Sequence, residues 1–307
     1  MRRVVVTGAT GGIGRALISA LRARGDEVIA LSRDQGRARQ SLGEGVDVAK
    51  WADPTGSVPP SEALKGADAV VNLLGEPVAQ RWNDATKARI RASRVESTRQ
   101  LVAALRDLPD EERPAVLVSQ SATGFYGPSD DRELDENAPA GDDFLAQVVT
   151  AWEGEAEEAE SLMRVARTRT GVVLSPSGGA LAQMLPFFRL GIGGPVAGGH
   201  QYIPWIHLDD VVAALMFCLD EEGAAGAVNV TGPQPTTNAE FSRALGRALK
   251  RPAVLPVPGL ALRLLYGEMA EIITTGQRVI PRRLEQLGFR FRHPELDSAL
   301  RDVLTDE

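Results

Sequence analysis

One cysteine, three histidines and three tyrosines are all that 307 residues provide of the side chains most used as redox, metal-binding and phenolic groups. Cys218 has no second thiol to pair with, which excludes an internal disulfide framework and a cysteine metal site. No apolar run approaches membrane-spanning length. The start, Met1-Arg2-Arg3 followed by three valines, mimics a leader only until glycine interrupts it, so the cytoplasm is the expected location. A net charge of −7 argues against a broad nucleic-acid surface or a polybasic membrane contact. Lysine is scarce too: of 34 basic residues only Lys50, Lys65, Lys87 and Lys250 are lysines. Internal repeats and low-complexity segments are absent. A chain of this length buries about three quarters of its unfolded surface, enough for one large α/β domain or a larger domain with a small companion.

What is present begins at the first strand. Val4-Val5-Val6-Thr7-Gly8-Ala9-Thr10-Gly11-Gly12-Ile13-Gly14-Arg15 sets a glycine-rich loop between an apolar run and a helical pattern. Gly8, Gly11 and Gly14 are spaced to let a strand turn sharply, bring backbone N–H groups to a pyrophosphate and pack a helix on the sheet. The phosphates would lie at the positive end of that helix. Ile13, Leu17 and Leu21 form one apolar stripe, Gly25 stops the helix, and Val28-Ile29-Ala30-Leu31 resumes as a strand. Cofactor contacts are therefore expected from Gly8, Thr10, Gly11, Gly12, Ile13 and Gly14. Where a dinucleotide fold usually offers an acid to the ribose, this chain reads Ser32-Arg33-Asp34. Arg33 pairing with a 2′-phosphate and Ser32 donating to it favour NADP; NAD stays open if Asp34 instead of Ser32 faces the ribose.

Further strands are expected at residues 69–74, 115–119, 165–169 and 227–230, with helices over 84–105, 144–163 and 208–219. This alternation gives an α/β class, a doubly wound parallel-sheet Rossmann domain over 1–174. The strand at 227–230 returns to it. Residues 175–307 form mainly a smaller, interleaved C-terminal substrate lobe, with loops at Pro176-Ser177-Gly178-Gly179 and Gly191–Pro195 and a proline-spaced connector from Pro252 to Pro258.

Glu76 follows the 69–74 strand, at the carboxyl edge where open α/β sheets bind ligands, and is a candidate base or substrate clamp. Arg81, Trp82, Lys87, Arg91 and Arg94 concentrate positive charge in an acidic protein. Lys87, Arg91 and Arg94 are spaced for one helical face and point to an anionic ligand. Gln201, Trp205 and His207 are candidates for a polar pocket edge. His207-Leu208-Asp209-Asp210 invites a metal, but these residues open a helix, where aspartates act as caps, so no metal is assigned. No Gly-x-Ser-x-Gly elbow supports a serine hydrolase.

The loop at residues 7–14 and the strand ends Asn72-Leu73-Leu74-Gly75 and Ser119-Gln120-Ser121-Ala122 together resemble the extended short-chain dehydrogenase/reductase superfamily. Further segments, among them Ser93-Arg94-Val95-Glu96-Ser97-Thr98, Gly124-Phe125-Tyr126-Gly127, Trp205-Ile206-His207 and Gly267-Glu268-Met269-Ala270, are similar to an atypical branch described as nucleoside-diphosphate-sugar epimerases, in places labelled cell-division inhibitor. The resemblance covers nearly the whole chain. It implies cofactor contacts at Leu73, Leu74, Gly75 and Ser119, and at Thr170, Gly171 and Val172, where related folds meet the nicotinamide amide. The superfamily's Tyr-x-x-x-Lys pair, whose lysine tunes the tyrosine as proton carrier, is missing. Leu145 and Val149 stand in its place when Glu153 is aligned, and no tyrosine has a lysine four residues on. Ser121 occupies the substrate-binding serine position, and Tyr126 is the first candidate for a replacement proton donor. The expectation is an NADP(H)-dependent oxidoreductase or epimerase for an anionic small molecule, nucleotide-linked ones included, using Tyr126, Ser121 or Glu76, with a homodimer allowed. The alternative is a non-catalytic NADP(H)-binding regulatory or interaction protein, linked by the label to cell division.

Overall fold

The computed structural model describes residues 1–176 and 178–305. The first half alternates strand and helix: β1 (Arg3–Thr7), α1 (Gly12–Ala23), β2 (Glu27–Ser32), α2 (Gln35–Leu42), β3 (Asp47–Lys50), α3 (Ser61–Leu64), β4 (Ala69–Asn72), α4 (Asp84–Ala92), α5 (Val95–Arg106), β5 (Val116–Ala122). After the short β6 (Glu133–Leu134) come α6 (Phe144–Glu157), β7 (Arg164–Thr170), β8 (Val172–Leu174), α7 (Gly179–Arg189), β9 (Tyr202–Ile203), β10 (Trp205–His207), α8 (Leu208–Asp220) and β11 (Gly226–Val230). The rest is mostly helical: β12 (Thr236–Thr237), α9 (Asn238–Leu249), α10 (Gly259–Tyr266), α11 (Ala270–Thr274), β13 (Arg278–Val279), α12 (Arg282–Gln286) and α13 (Leu296–Thr305).

Seven strands form one parallel sheet in the order β11-β7-β5-β4-β1-β2-β3, so the expected return of residues 227–230 is seen as β11 beside β7. Alternation along the strands divides two cores. Val4, Val6, Ala30, Val71 and Val118 meet Leu17 and Leu21 of α1 and Leu215 of α8, while Val5, Ile29, Val70 and Leu117 meet Leu101 and Leu105 of α5. With both faces covered, the strands read as continuous apolar runs. The strand order reverses between β1 and β4, which opens a crevice beyond their carboxyl ends. A further core joins Leu181, Leu185 and Phe188 of α7 to Trp205, Phe241, Leu245 and Leu300. Among the described residues no helix is long and apolar enough to cross a membrane.

Some expected elements change at their ends. The helix expected over 84–105 is two helices, broken at Ser93-Arg94, because the Ser93 hydroxyl bonds back to the Ile90 carbonyl at 3.1 Å while accepting the Glu76 N–H at 2.9 Å. The helix expected to reach Met163 stops at Glu157 and gives way to tight turns through Ala159 and Leu162. Glu155, Glu157, Glu158 and Glu160 crowd its negative end, an unfavourable charge for continuation. The strand expected over 69–74 ends at Asn72, whose side chain turns into a hydrogen-bond network. Ser177, part of an expected loop, lies outside the described residues, and Gly179 of that loop opens α7.

Candidate functional site

The crevice is built from main chain. Gly8 has φ +62°, and a Cβ there would stand 2.4 Å from the Leu73 carbonyl oxygen; a Cβ on Gly14 would stand 2.4 Å from the Gly8 oxygen. These two glycines are therefore fixed by close approach of β1, the loop and α1. Gly11 is the N-cap of α1 and has no side chain with which to cap it, and the first turn holds no acid. Thr10, Gly11 and Gly12 are exposed, with Ile13 half-buried beside them. An uncapped, exposed helix start at a glycine loop suits an anion, and this cradle fits a dinucleotide pyrophosphate.

A buried chain of hydrogen bonds holds the opposite wall in register. The Thr7 hydroxyl donates to Asn72 Oδ1 at 2.7 Å and accepts the Leu73 N–H at 3.0 Å. Asn72 Nδ2 and the Trp152 indole both donate to Thr98 Oγ1, at 2.9 and 3.0 Å. Strands β1 and β4 are thus tied to α5 and α6 at the crevice floor. Ser119, opposite Asn72 in the ladder, is buried and its hydroxyl has no partner among the described residues.

At the end of β2, Asp34 is exposed and is the N-cap of α2, its Oδ1 accepting the Arg37 N–H at 3.0 Å. Ser32 Oγ accepts the Asp34 N–H at 3.3 Å. Arg33 is exposed and has no ion-pair partner among the described residues. Capping thus engages one oxygen of Asp34, the one acid of the tripeptide, and leaves Arg33 without a carboxylate.

The candidate acid–base groups separate sharply. Tyr126 is only 4% exposed; its hydroxyl donates to Asn229 Oδ1 at 2.6 Å and accepts from Arg169 Nη1 at 3.0 Å. Burial outweighs the nearby Arg169 and pushes the phenol up to about 12. Ser121, 1% exposed, donates to Glu153 Oε1 at 2.5 Å. Glu153 also receives both Nε and Nη2 of Arg169, each at 2.8 Å, in a two-pronged buried pair. Burial works against the Arg169 charge, yet Glu153 and Tyr126 hold its pKa above the ordinary value. The Arg169 guanidinium lies 3.4 Å from the Phe125 ring centre, and Asn229 Nδ2 donates to the Ile280 carbonyl at 2.9 Å. Tyr126 and Ser121 therefore belong to one packed network that joins β5, α6, β7 and β11. Tyr126, expected as a proton donor, directs its lone phenolic proton to Asn229.

Glu76 is different. Its side chain is 35% exposed, with Arg89 Nε at 3.7 Å and Gln80 Nε2 at 3.4 Å, while its backbone is fixed on Ser93. Arg94, at the break between α4 and α5, lies half-buried under Gly75, where an added Cβ would stand 3.1 Å from its guanidinium carbon. Gly75 thus makes room for an arginine. Lys87 is paired with Glu268 of the C-terminal segment and lies 5.2 Å from the Phe144 ring centre; Trp82 packs edge-on against the same ring at 5.1 Å. Arg81 and Arg91 are exposed. The expected single cationic face does not form, because the helix breaks before Arg94 and Lys87 is engaged elsewhere.

The remaining candidates make internal hydrogen bonds. Gln201 Nε2 bridges the Val196 and Ile273 carbonyls at 3.1 Å each, and the Trp205 indole, 1% exposed, donates to Thr236 at 3.1 Å. His207 is buried and stacks on His293 with ring centres 3.8 Å apart. His207, Asp209 and His293 do gather, but His207 Nδ1 accepts the Asp209 N–H at 3.1 Å to cap α8. A neutral ring so bonded carries its proton on Nε2, which lies 3.2 Å from Asp302, and offers no lone pair to a metal. Thr170 ends β7, and Gly171 passes so close to β10 that a Cβ would stand 1.9 Å from the Pro204 oxygen. Val172 then opens β8.

Arg169, Asn229 and Glu136, whose carbonyl accepts from Arg169 Nη1 at 3.3 Å and whose Oε1 accepts the Asn229 N–H at 3.0 Å, were not singled out by sequence reasoning. Arginines at positions 164, 167 and 169 of one strand were the available signal, since a covered strand must supply a partner for each buried charge.

Residues 4–231 match the model of the NAD dependent epimerase/dehydratase family, and residues 257–303 match a domain of unknown function, DUF1731. An epimerase family protein SDR39U1 homolog of Arabidopsis thaliana, a chloroplastic protein, is 41% identical over 98% of this chain and 86% of its own length. The epimerase family protein Mb2239 of Mycobacterium bovis is 43% identical over 97% of this chain and 96% of its own. The crystal structure of human epimerase family protein SDR39U1 (isoform 2) with NADPH superposes with a TM-score of 0.88 at 37% identity, covering 99% of this chain and 100% of that one.

Proposed function

This chain belongs to the NAD dependent epimerase/dehydratase family, and from that premise we propose that it is an NADP(H)-dependent oxidoreductase or epimerase for a small anionic substrate, with Glu76 in place of the missing tyrosine as proton carrier. The observation that carries the cofactor choice is the end of β2: Asp34 is engaged as a helix cap while Arg33 stands without a carboxylate. The NADPH in the human relative's structure supports the same choice.

Gly8, Gly11, Gly12, Ile13 and Gly14 would hold the pyrophosphate, with Ser32 and Arg33 at the 2′-phosphate and Leu73, Leu74, Gly75, Ser119 and Thr170 along the rest of the crevice. Bound there, NADP(H) supplies a hydride donor or acceptor. Glu76, anchored through its backbone to Ser93 and open to solvent, can pass a proton between substrate and water. The Ser121–Glu153–Arg169–Tyr126 network keeps the wall between β5 and β7 rigid, the role this reading gives to Tyr126 and Ser121.

Titration with NADPH and with NADH, repeated on Arg33→Gln, tests the cofactor assignment. NADPH is expected to bind more tightly than NADH, and the substitution is expected to remove that preference; equal binding of both by the unmodified protein would refute it. A second reading has one observation in its favour, the sequestration of Tyr126 and Ser121: a non-catalytic protein that senses NADP(H). NADPH binding without NADPH oxidation across a broad panel of carbonyl compounds would favour it.

A further inference from the structure

Of the cations singled out near the cleft, Arg94 alone combines burial with an unused binding edge. Its Nη1 donates to the Ile90 carbonyl at 3.2 Å, but the Nε–Nη2 edge has no acceptor, and no carboxylate pairs with Arg94 among the described residues. The guanidinium lies against Gly75 at the exit of β4 and 5.3 Å from the ring centre of Trp152, which is itself fixed by its bond to Thr98. Tight apolar and backbone packing of this kind holds the planar fork in one orientation.

We propose that Arg94 is the receptor for a carboxylate on the substrate, so that this site takes a small carboxylic acid and not a phosphate ester or a nucleoside-diphosphate sugar. The inference rests on the assignment of the β1–β4 crevice to NADP(H). Three features select the carboxylate. A planar monoanion matches the two parallel donors of the open edge. Of the other cations at residues 81–94, Lys87 is neutralised by Glu268, Arg89 stands by Glu76, and Arg81 and Arg91 are exposed, so Arg94 is the one half-buried charge left without a carboxylate. Glu76, the nearest acid in sequence to Gly75, adds negative charge beside Arg94 and repels a dianionic phosphate more strongly than a monoanion. Burial lowers the Arg94 guanidinium to about 10, with Glu76 partly opposing the shift, so the group remains charged at neutral pH. A desolvated cation without a counter-ion is unfavourable in the free protein, and a ligand carboxylate removes that cost on binding.

The test is calorimetric titration of the unloaded and the NADP⁺-loaded protein with oxamate and with methyl phosphate, on the unmodified chain, Arg94→Lys and Arg94→Gln. Oxamate is expected to bind the unmodified protein more tightly than methyl phosphate. Arg94→Gln is expected to weaken oxamate tenfold or more, and Arg94→Lys, which keeps the charge and loses the fork, to fall between. NADPH affinity, measured in parallel, is expected to be the same in all three, which also reports that the variants are folded. Undiminished oxamate binding by Arg94→Gln, no oxamate binding by the unmodified protein, or tighter binding of methyl phosphate would overturn the proposal. Failure of the unmodified protein to bind NADPH would instead overturn the cofactor assignment, while oxamate titration of the unloaded protein still reads Arg94.

Discussion

Replacing Tyr126 by phenylalanine separates a structural tyrosine from a reacting one. The phenol makes two bonds inside the protein, to Asn229 Oδ1 at 2.6 Å and from Arg169 Nη1 at 3.0 Å. Phenylalanine keeps the ring and its edge-on contact with Phe125 at 5.3 Å, so the packing term is nearly unchanged. Arg169 Nη1 retains a second acceptor in the Glu136 carbonyl at 3.3 Å, whereas Asn229 Oδ1 loses its donor. An orphaned buried acceptor costs about 1–3 kcal/mol, so Tyr126→Phe should destabilise the fold by about 2 kcal/mol. At roughly 2 °C per kcal/mol for a large domain, the midpoint falls by about 4 °C. Differential scanning fluorimetry reads that shift, and calorimetric titration with NADPH below the transition should give an unchanged Kd. Unchanged stability together with lost turnover of an identified substrate would refute the structural assignment.

Gly14→Ala is expected to abolish NADPH binding and lower the melting temperature, because the new Cβ would lie 2.4 Å from the Gly8 oxygen; fluorimetry with and without NADPH measures both, and a retained ligand-induced shift would contradict the cradle. Acidification provides a separate check. Burial first, and then His293, hold His207 below its ordinary 6.5, so the unfolded chain takes up a proton that the folded chain resists. The contribution is complete above pH 6.5 and is lost as pH falls from there toward the lowered folded value. Melting curves across that interval should be steeper in the unmodified protein than in His207→Gln; identical slopes would exclude His207 as a source.

Features that depend on local sterics were legible before the structure. The glycine loop could be read because Gly8 and Gly14 answer to contacts within one strand–helix unit, and the alternating apolar runs because both sheet faces are covered. The break at Ser93-Arg94 was not legible, since a periodic pattern of charged and apolar residues continues across it and the decisive bond is from the Glu76 backbone, 17 residues away. The bonding of Tyr126 was hidden for a related reason. Its partner Asn229 is 103 residues distant, and only the return of β11 to the sheet brings the two together. Asp34 shows the opposite case: its capping bond spans three residues, so the rule for helix starts could have found it from sequence.

The affinity ratio of NADPH to NADH, measured on the unmodified protein and on Arg33→Gln, tests the central claim most directly. One lost charge-assisted contact of about 1.5–3 kcal/mol predicts that NADPH binding weakens by roughly 10- to 150-fold in the variant while NADH binding is unchanged. A ratio near unity in the unmodified protein, or one that survives the substitution, would contradict the account.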